Sequence, residues 1–133
     1  MRELKYEGGS IHGHWGLVRL FRRSTSHPDG ELRYGVRTLD GRVTEFAVQL
    51  YCREDGEWRL VAQFDHNPEM GQGHDVRTEG VHMDVFRPSG RRAVADQADP
   101  GPMNPESALE FAINYLAEHD ERLIERYRRW STG

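Results

Sequence analysis

From residue 15 to residue 64 the apolar positions come in short runs separated by turn signals, the rhythm of an antiparallel sheet. From residue 105 to residue 130 they recur every three or four positions, the rhythm of a helix. The first run, 15–21, predicts a strand that is broken by Ser26-His27-Pro28-Asp29-Gly30. A second strand over 32–38 meets Asp40-Gly41, a two-residue hairpin signal, and a third follows over 43–52. In that strand Phe46, Val48 and Leu50 alternate with Glu45, Gln49 and Tyr51, so one face is buried and the other polar. Asp55-Gly56 closes another hairpin into a fourth strand over 58–64, whose apolar row is Trp58, Leu60, Ala62 and Phe64.

Residues 65–75 are polar and Gly-rich and read as a loop. Alternation resumes over 81–87, where Val81, Met83 and Val85 face one way and His82, Asp84 and Phe86 the other. A short strand over 91–94 and a linker over 95–103 lead to the helix. Asn104 is its N-cap, Pro105 its first position and Glu106 a favourable first-turn charge. Leu109, Ile113, Leu116, Leu123, Tyr127 and Trp130 form its apolar stripe, interrupted at Asp120, which is expected to lie at a gap over the sheet edge. The fold class that follows is α+β: an antiparallel meander of about five strands with one long C-terminal amphipathic helix packed on one face. Residues 1–133 read as a single domain, with 1–14 flexible or loosely attached.

Composition narrows the function classes. The 133 residues are 36% hydrophobic and 30% charged, with no apolar run long enough to span a membrane and no signal-peptide core, so the expected location is the cytoplasm. A lone cysteine, Cys52, excludes an internal disulfide and cysteine-rich zinc sites, and its place on the Phe46 face reads as core. A formal charge of −4 argues against coating nucleic acid by bulk positive charge. All basic residues but Lys5 are Arg, as a GC-rich genome produces.

Chemistry concentrates between Asp65 and Asp84, where Asp65, Glu69, Asp75, Glu79 and Asp84 face Arg77 alone among the basic residues and interleave with His66, His74 and His82. Imidazole with carboxylate suits a divalent metal such as zinc or manganese, and His82 and Asp84, two apart on a strand, share a face. The candidate metal ligands are therefore His74, Asp75, His82 and Asp84. Metal-free acid–base work needs the same residue types, since imidazole exchanges protons near neutrality. In that case the candidate catalytic residues are His66, His74, Asp75, His82 and Asp84, with Arg77 holding a phosphate. A structural reading uses the same side chains to tie the loop down by hydrogen bonds. His12 and His14 share a face if their segment is extended, and add ligands, bases or neither.

Phe64-Asp65-His66-Asn67-Pro68, Gly73-His74-Asp75-Val76 and Glu79-Gly80-Val81-His82-Met83-Asp84-Val85 together resemble an uncharacterised prokaryotic domain family with the order D-H-x-P, G-H-D, E-G-x-H-x-D, over about residues 44–130. The order of strands, His-rich loop and single helix is also similar, more distantly, to small TumE-type toxins of bacterial toxin–antitoxin pairs. That likeness implies an RNA-directed activity, a cognate antitoxin as partner, and no catalytic residue to carry over. Two functions are expected from these readings. One is a small hydrolase acting on RNA or a nucleotide; the other is a non-enzymatic protein-interaction module whose His/Asp loop is structural.

Overall fold

The computed structural model describes residues 2–9, 16–69, 74–93 and 100–132. Within them lie seven strands and one helix: β1 (Arg2–Gly9), β2 (Gly16–Ser24), β3 (Gly30–Leu39), β4 (Arg42–Glu54), β5 (Glu57–His66), β6 (Met83–Phe86), β7 (Arg92–Ala93) and α1 (Pro105–Thr132). The strands form one antiparallel sheet in chain order, so the fold is the α+β meander with a C-terminal helix that the pattern predicts. Both Asp-Gly pairs build their hairpins with left-handed backbone, Asp40 at φ 52° with Gly41 at 78° and Asp55 at 51° with Gly56 at 80°. Two successive positive φ values give a hairpin turn whose twist matches the strands it joins.

β1 is an element where the pattern predicts only a flexible segment. Its sequence alternates Leu4 and Tyr6 with Glu3, Lys5 and Glu7, a charged composition suited to a sheet edge and too short to stand out. His12, His14 and Trp15 lie outside the described residues, as do Val94 of the predicted short strand and 95–99 of the predicted linker.

One face of the sheet carries the core. Cross-strand partners Leu32 and Leu50, Tyr34 and Val48, and Val36 and Phe46 are all buried, and Cys52, Ala62, Phe64, Met83 and Val85 extend this surface. Phe21 stacks on Tyr34 at 4.8 Å between centroids, and Phe64 meets the helix residues Phe111 and Tyr115 edge-on. The predicted row Trp58-Leu60-Ala62-Phe64 is split. Leu50 pairs with Ala62 but Tyr51 with Leu60, so Val61 is an extra residue in β5. Such a bulge reverses the parity of everything before it. Val61, Ala62 and Phe64 stay in the core, while Leu60 and Trp58, opposite Tyr51 and Arg53, turn to the polar face and are only half-buried.

The helix buries small residues as well as large ones against the sheet. Ala108, Ala112, Leu116, Leu123, Ile124 and Tyr127 are its buried line, with Leu109, Ile113 and Trp130 flanking it half-buried. Ala108 and Ala112 are fully buried where the helix packs on β3, β4 and β5, positions that the predicted stripe of large side chains leaves out. Asn104 caps the helix as predicted, its Oδ1 accepting from the Ser107 N–H at 2.8 Å. Glu106 also accepts from the Val43 N–H at 2.7 Å, tying the helix start to β4.

Asp120 does not sit over a gap. It is 1% exposed and accepts the His27 N–H at 2.7 Å and the Ser26 hydroxyl at 2.9 Å, so it fastens the β2–β3 turn to the helix. Burial pushes its carboxyl up, but the bonds from the His27 N–H, Thr25, Ser26 and the Glu121 N–H outweigh this, and the net shift is downward. Two turns further on Arg128 reaches Asp29 at 2.8 Å and Glu54 at 3.1 Å.

Candidate functional site

β5 runs to His66, two residues further than the predicted strand, and that extension organises the site. Ala47 pairs with Asp65 and Phe46 with His66. Successive strand residues point to opposite faces, so Asp65 and His66, adjacent in sequence, part company.

His66 goes to the core face and is 1% exposed. Its Nδ1 accepts the Val76 N–H at 3.2 Å, and its ring lies 5.8 Å from that of Phe46. This bond satisfies a buried amide of the returning chain, a structural duty for a histidine predicted as catalytic. With Arg77 it lines a groove of about 1020 Å³ between the β3–β4 turn, Asn67–Glu69 and the start of α1. Arg37, Arg42, Glu45 and Glu106 line the same groove, so its charge is mixed.

Asp65 goes to the polar face. Gln63 pairs with Asp84 and Phe64 with Met83, where the ladder ends, so His82 precedes β6 instead of lying on the predicted strand. His74 comes over the same face, because Asn67 clasps it from both sides: its N–H donates to the His74 carbonyl at 2.9 Å and its Oδ1 accepts the His74 N–H at 2.6 Å. The result is a cluster of Asp65, His74 and Asp84 in which one ligand atom of each lies within 4.8 Å of the others. The His74 Nε2 is 3.9 Å from Asp65, and its Nδ1 is 3.7 Å from Glu79. Arg92 donates to Asp84 at 2.9 Å. All three members are partly buried.

The other predicted site residues take different posts. His82 lies beside His74, with ring centroids 6.4 Å apart, and its Nε2 is 2.9 Å from the Glu79 carbonyl oxygen. Asp75 starts the turn at 75–79: its Oδ1 accepts the Arg77 N–H at 3.0 Å and its carbonyl the Glu79 N–H at 2.8 Å. The Arg77 guanidinium also binds Asp75 at 2.9 Å and, against the opposing effect of burial, holds its carboxyl below the ordinary range. Arg77 and Asp75 thus engage each other. The structure brings together His74, Asp84 and, nearby, His82, and sets His66, Asp75 and Arg77 apart from them. Asp65 joins the cluster although it is absent from the predicted ligands; the parity of Gln63 and Asp65 against His82 and Asp84 is the signal that finds it.

Two carboxylates and one imidazole form a donor set for zinc, manganese or iron. Ligands at about 2.0–2.2 Å from one ion stand roughly 3 to 3.5 Å apart, within reach of small side-chain rotations from the separations present. Three ligands from the described residues would leave a coordination position open, as catalytic rather than structural sites do.

No helix among the described residues is long and apolar enough to cross a membrane. No curated protein and no solved structure matches the chain. A family model does, over residues 10–133, a span that takes in β2 and β3 as well as the motifs from Thr44 onward. The chain belongs to the family described as Domain of unknown function (DUF7718).

Proposed function

We propose that Asp65, His74 and Asp84 bind a divalent cation, zinc or manganese, and that this centre hydrolyses a phosphodiester of RNA or of a nucleotide. The observation that carries the reading is the convergence of these three side chains, from β5, the following loop and β6, on one point of the polar face. A bound cation would supply a Lewis acid for the phosphoryl oxygen and lower the pKa of a coordinated water. In this reading His82, 6.4 Å from the His74 ring, would exchange a proton, and Arg92, already on Asp84, would hold a phosphate oxygen. In a toxin–antitoxin setting the cognate antitoxin would cover this centre.

The test has two arms. Adding manganese or zinc to chelator-treated protein is expected to raise its melting temperature by linkage, and the rise is expected to vanish in His74→Ala and in Asp84→Asn. Manganese-loaded wild type is expected to fragment RNA, and the same variants, with melting temperatures matched in chelator, are not. Equal melting of apo and metal-treated wild type refutes the cation centre.

One set of contacts favours the second reading, a protein-interaction module with a structural loop. The Asn67 clasp, the His66 bond to Val76 and the Asp75–Arg77 pair tie Asn67 and the end of β5 to the returning chain at residues 74–77. Under this reading the His74→Ala and Asp84→Asn variants melt earlier than wild type in chelator, and metal changes nothing.

A further inference from the structure

The bulge at Val61 turns Trp58 and Leu60 away from the core, and the place they turn to is organised. The Arg33 guanidinium lies 4.3 Å from the Tyr51 ring centroid and 5.4 Å from that of Trp58, and Arg53 lies 5.8 Å from Trp58. Glu31 fixes Arg33 at 2.7 Å and Arg22 at 3.0 Å, one carboxylate among three guanidiniums of this patch. From here a row of cross-strand partners crosses the polar face: Arg22, Arg33, Gln49, Gln63 and Asp84. It is joined by hydrogen bonds, the Tyr51 hydroxyl to Gln49 at 3.2 Å and Gln49 to Gln63 at 2.9 Å. Arg33 and Asp84 are three strand spacings apart, about 14 Å.

Folding alone would place a Trp and a Leu in the core, where burial favours them. Held partly exposed on the polar face instead, with cations against aromatic rings, they form the kind of surface on which unpaired bases stack while guanidiniums meet phosphates. The amides of Gln49 and Gln63 offer donors and acceptors along the way.

We infer that Trp58, Tyr51, Arg33 and Arg53 form a stacking platform for an unpaired nucleobase of single-stranded RNA, whose backbone then runs along the Gln49–Gln63 row to the Asp65–His74–Asp84 centre. The inference rests on the proposed RNA-directed function and names the site that would hold that substrate. The patch carries positive charge at the end away from the acidic cluster, which orients a polyanion along the row.

Binding is tested apart from chemistry, with full-length protein in chelator and a short fluorescein-labelled single-stranded RNA of mixed sequence followed by anisotropy. The expected result is tighter binding of the single strand than of the matched duplex, and a loss of about tenfold in Trp58→Ala and in Arg33→Ala. Trp58→Phe, which keeps a stacking face, is expected to restore most of it. Thermal unfolding of each variant separates lost binding from lost folding, and Arg33→Gln serves if Trp58→Ala does not fold. No binding by wild type, equal affinity for duplex, or variants that bind like wild type overturns the platform. Binding that follows the platform variants while no metal supports cleavage overturns the cation centre alone. Cleavage untouched by Trp58→Ala and Arg33→Ala overturns the platform alone.

Discussion

Asp120→Ala is expected to loosen the helix from the sheet at one definable point. In the native protein the carboxylate is 1% exposed and receives a backbone N–H from His27 at 2.7 Å and the Ser26 hydroxyl at 2.9 and 3.0 Å. Truncation leaves the His27 amide without this acceptor in a buried position. A stranded buried donor costs about 1–3 kcal/mol, and a hydrogen bond to a charged group is itself worth about 1.5–3. The two overlap, so the expected loss is about 2–3 kcal/mol, with Asp120→Asn losing less because an oxygen remains. Urea unfolding followed by far-ultraviolet circular dichroism measures this as a lower midpoint at unchanged slope. The pH dependence has a definite sign. Because the Asp120 carboxyl is shifted downward in the folded state, its contribution is complete above the unfolded value of about 3.9 and is lost as pH falls through the lower folded one. The gap between wild type and Asp120→Ala is therefore expected to be flat from neutrality to about pH 5 and to narrow below about pH 4, where the protonated carboxyl keeps only a neutral acceptor. Equal midpoints at pH 7, or a gap that widens on acidification, refute the reasoning.

The remaining predictions concern the core, the thiol and the two functional proposals. Leu116→Ala and Leu123→Ala, both buried beneath the helix, are each expected to cost about 2–5 kcal/mol by the same urea assay, and an unchanged midpoint in both refutes helix-on-sheet packing. Burial, helped by Glu54, pushes the Cys52 thiol up to about 11, so a thiol reagent at pH 8 is expected to label it only in denaturant, and prompt labelling of native protein contradicts its place in the core. Manganese or zinc is expected to raise the melting temperature of wild type but not of His74→Ala, and Trp58→Ala is expected to weaken single-stranded RNA binding about tenfold.

The sequence by itself determined the local architecture. Strand alternation from Val48 to Cys52, the left-handed turns at Asp40-Gly41 and Asp55-Gly56, and the Asn104-Pro105-Glu106 helix start all depend on interactions within a few residues, and all are found where the pattern puts them, although Glu45 and Ala47 on the other face are buried as well. It also located the segment in which the candidate chemistry lies. Only the tertiary structure decided which of those side chains meet. That question turns on parity: the extra Val61 moved Trp58 and Leu60 to the other face, and the run of β5 to His66 sent Asp65 toward Asp84 and its neighbour His66 into the core. Asp120 depended on a partner more than ninety positions away, whose N–H no local pattern announces. A periodicity fixes faces only up to a shift of one residue, and a bulge, a strand end or a distant donor supplies that shift through packing and hydrogen-bond satisfaction across the whole fold.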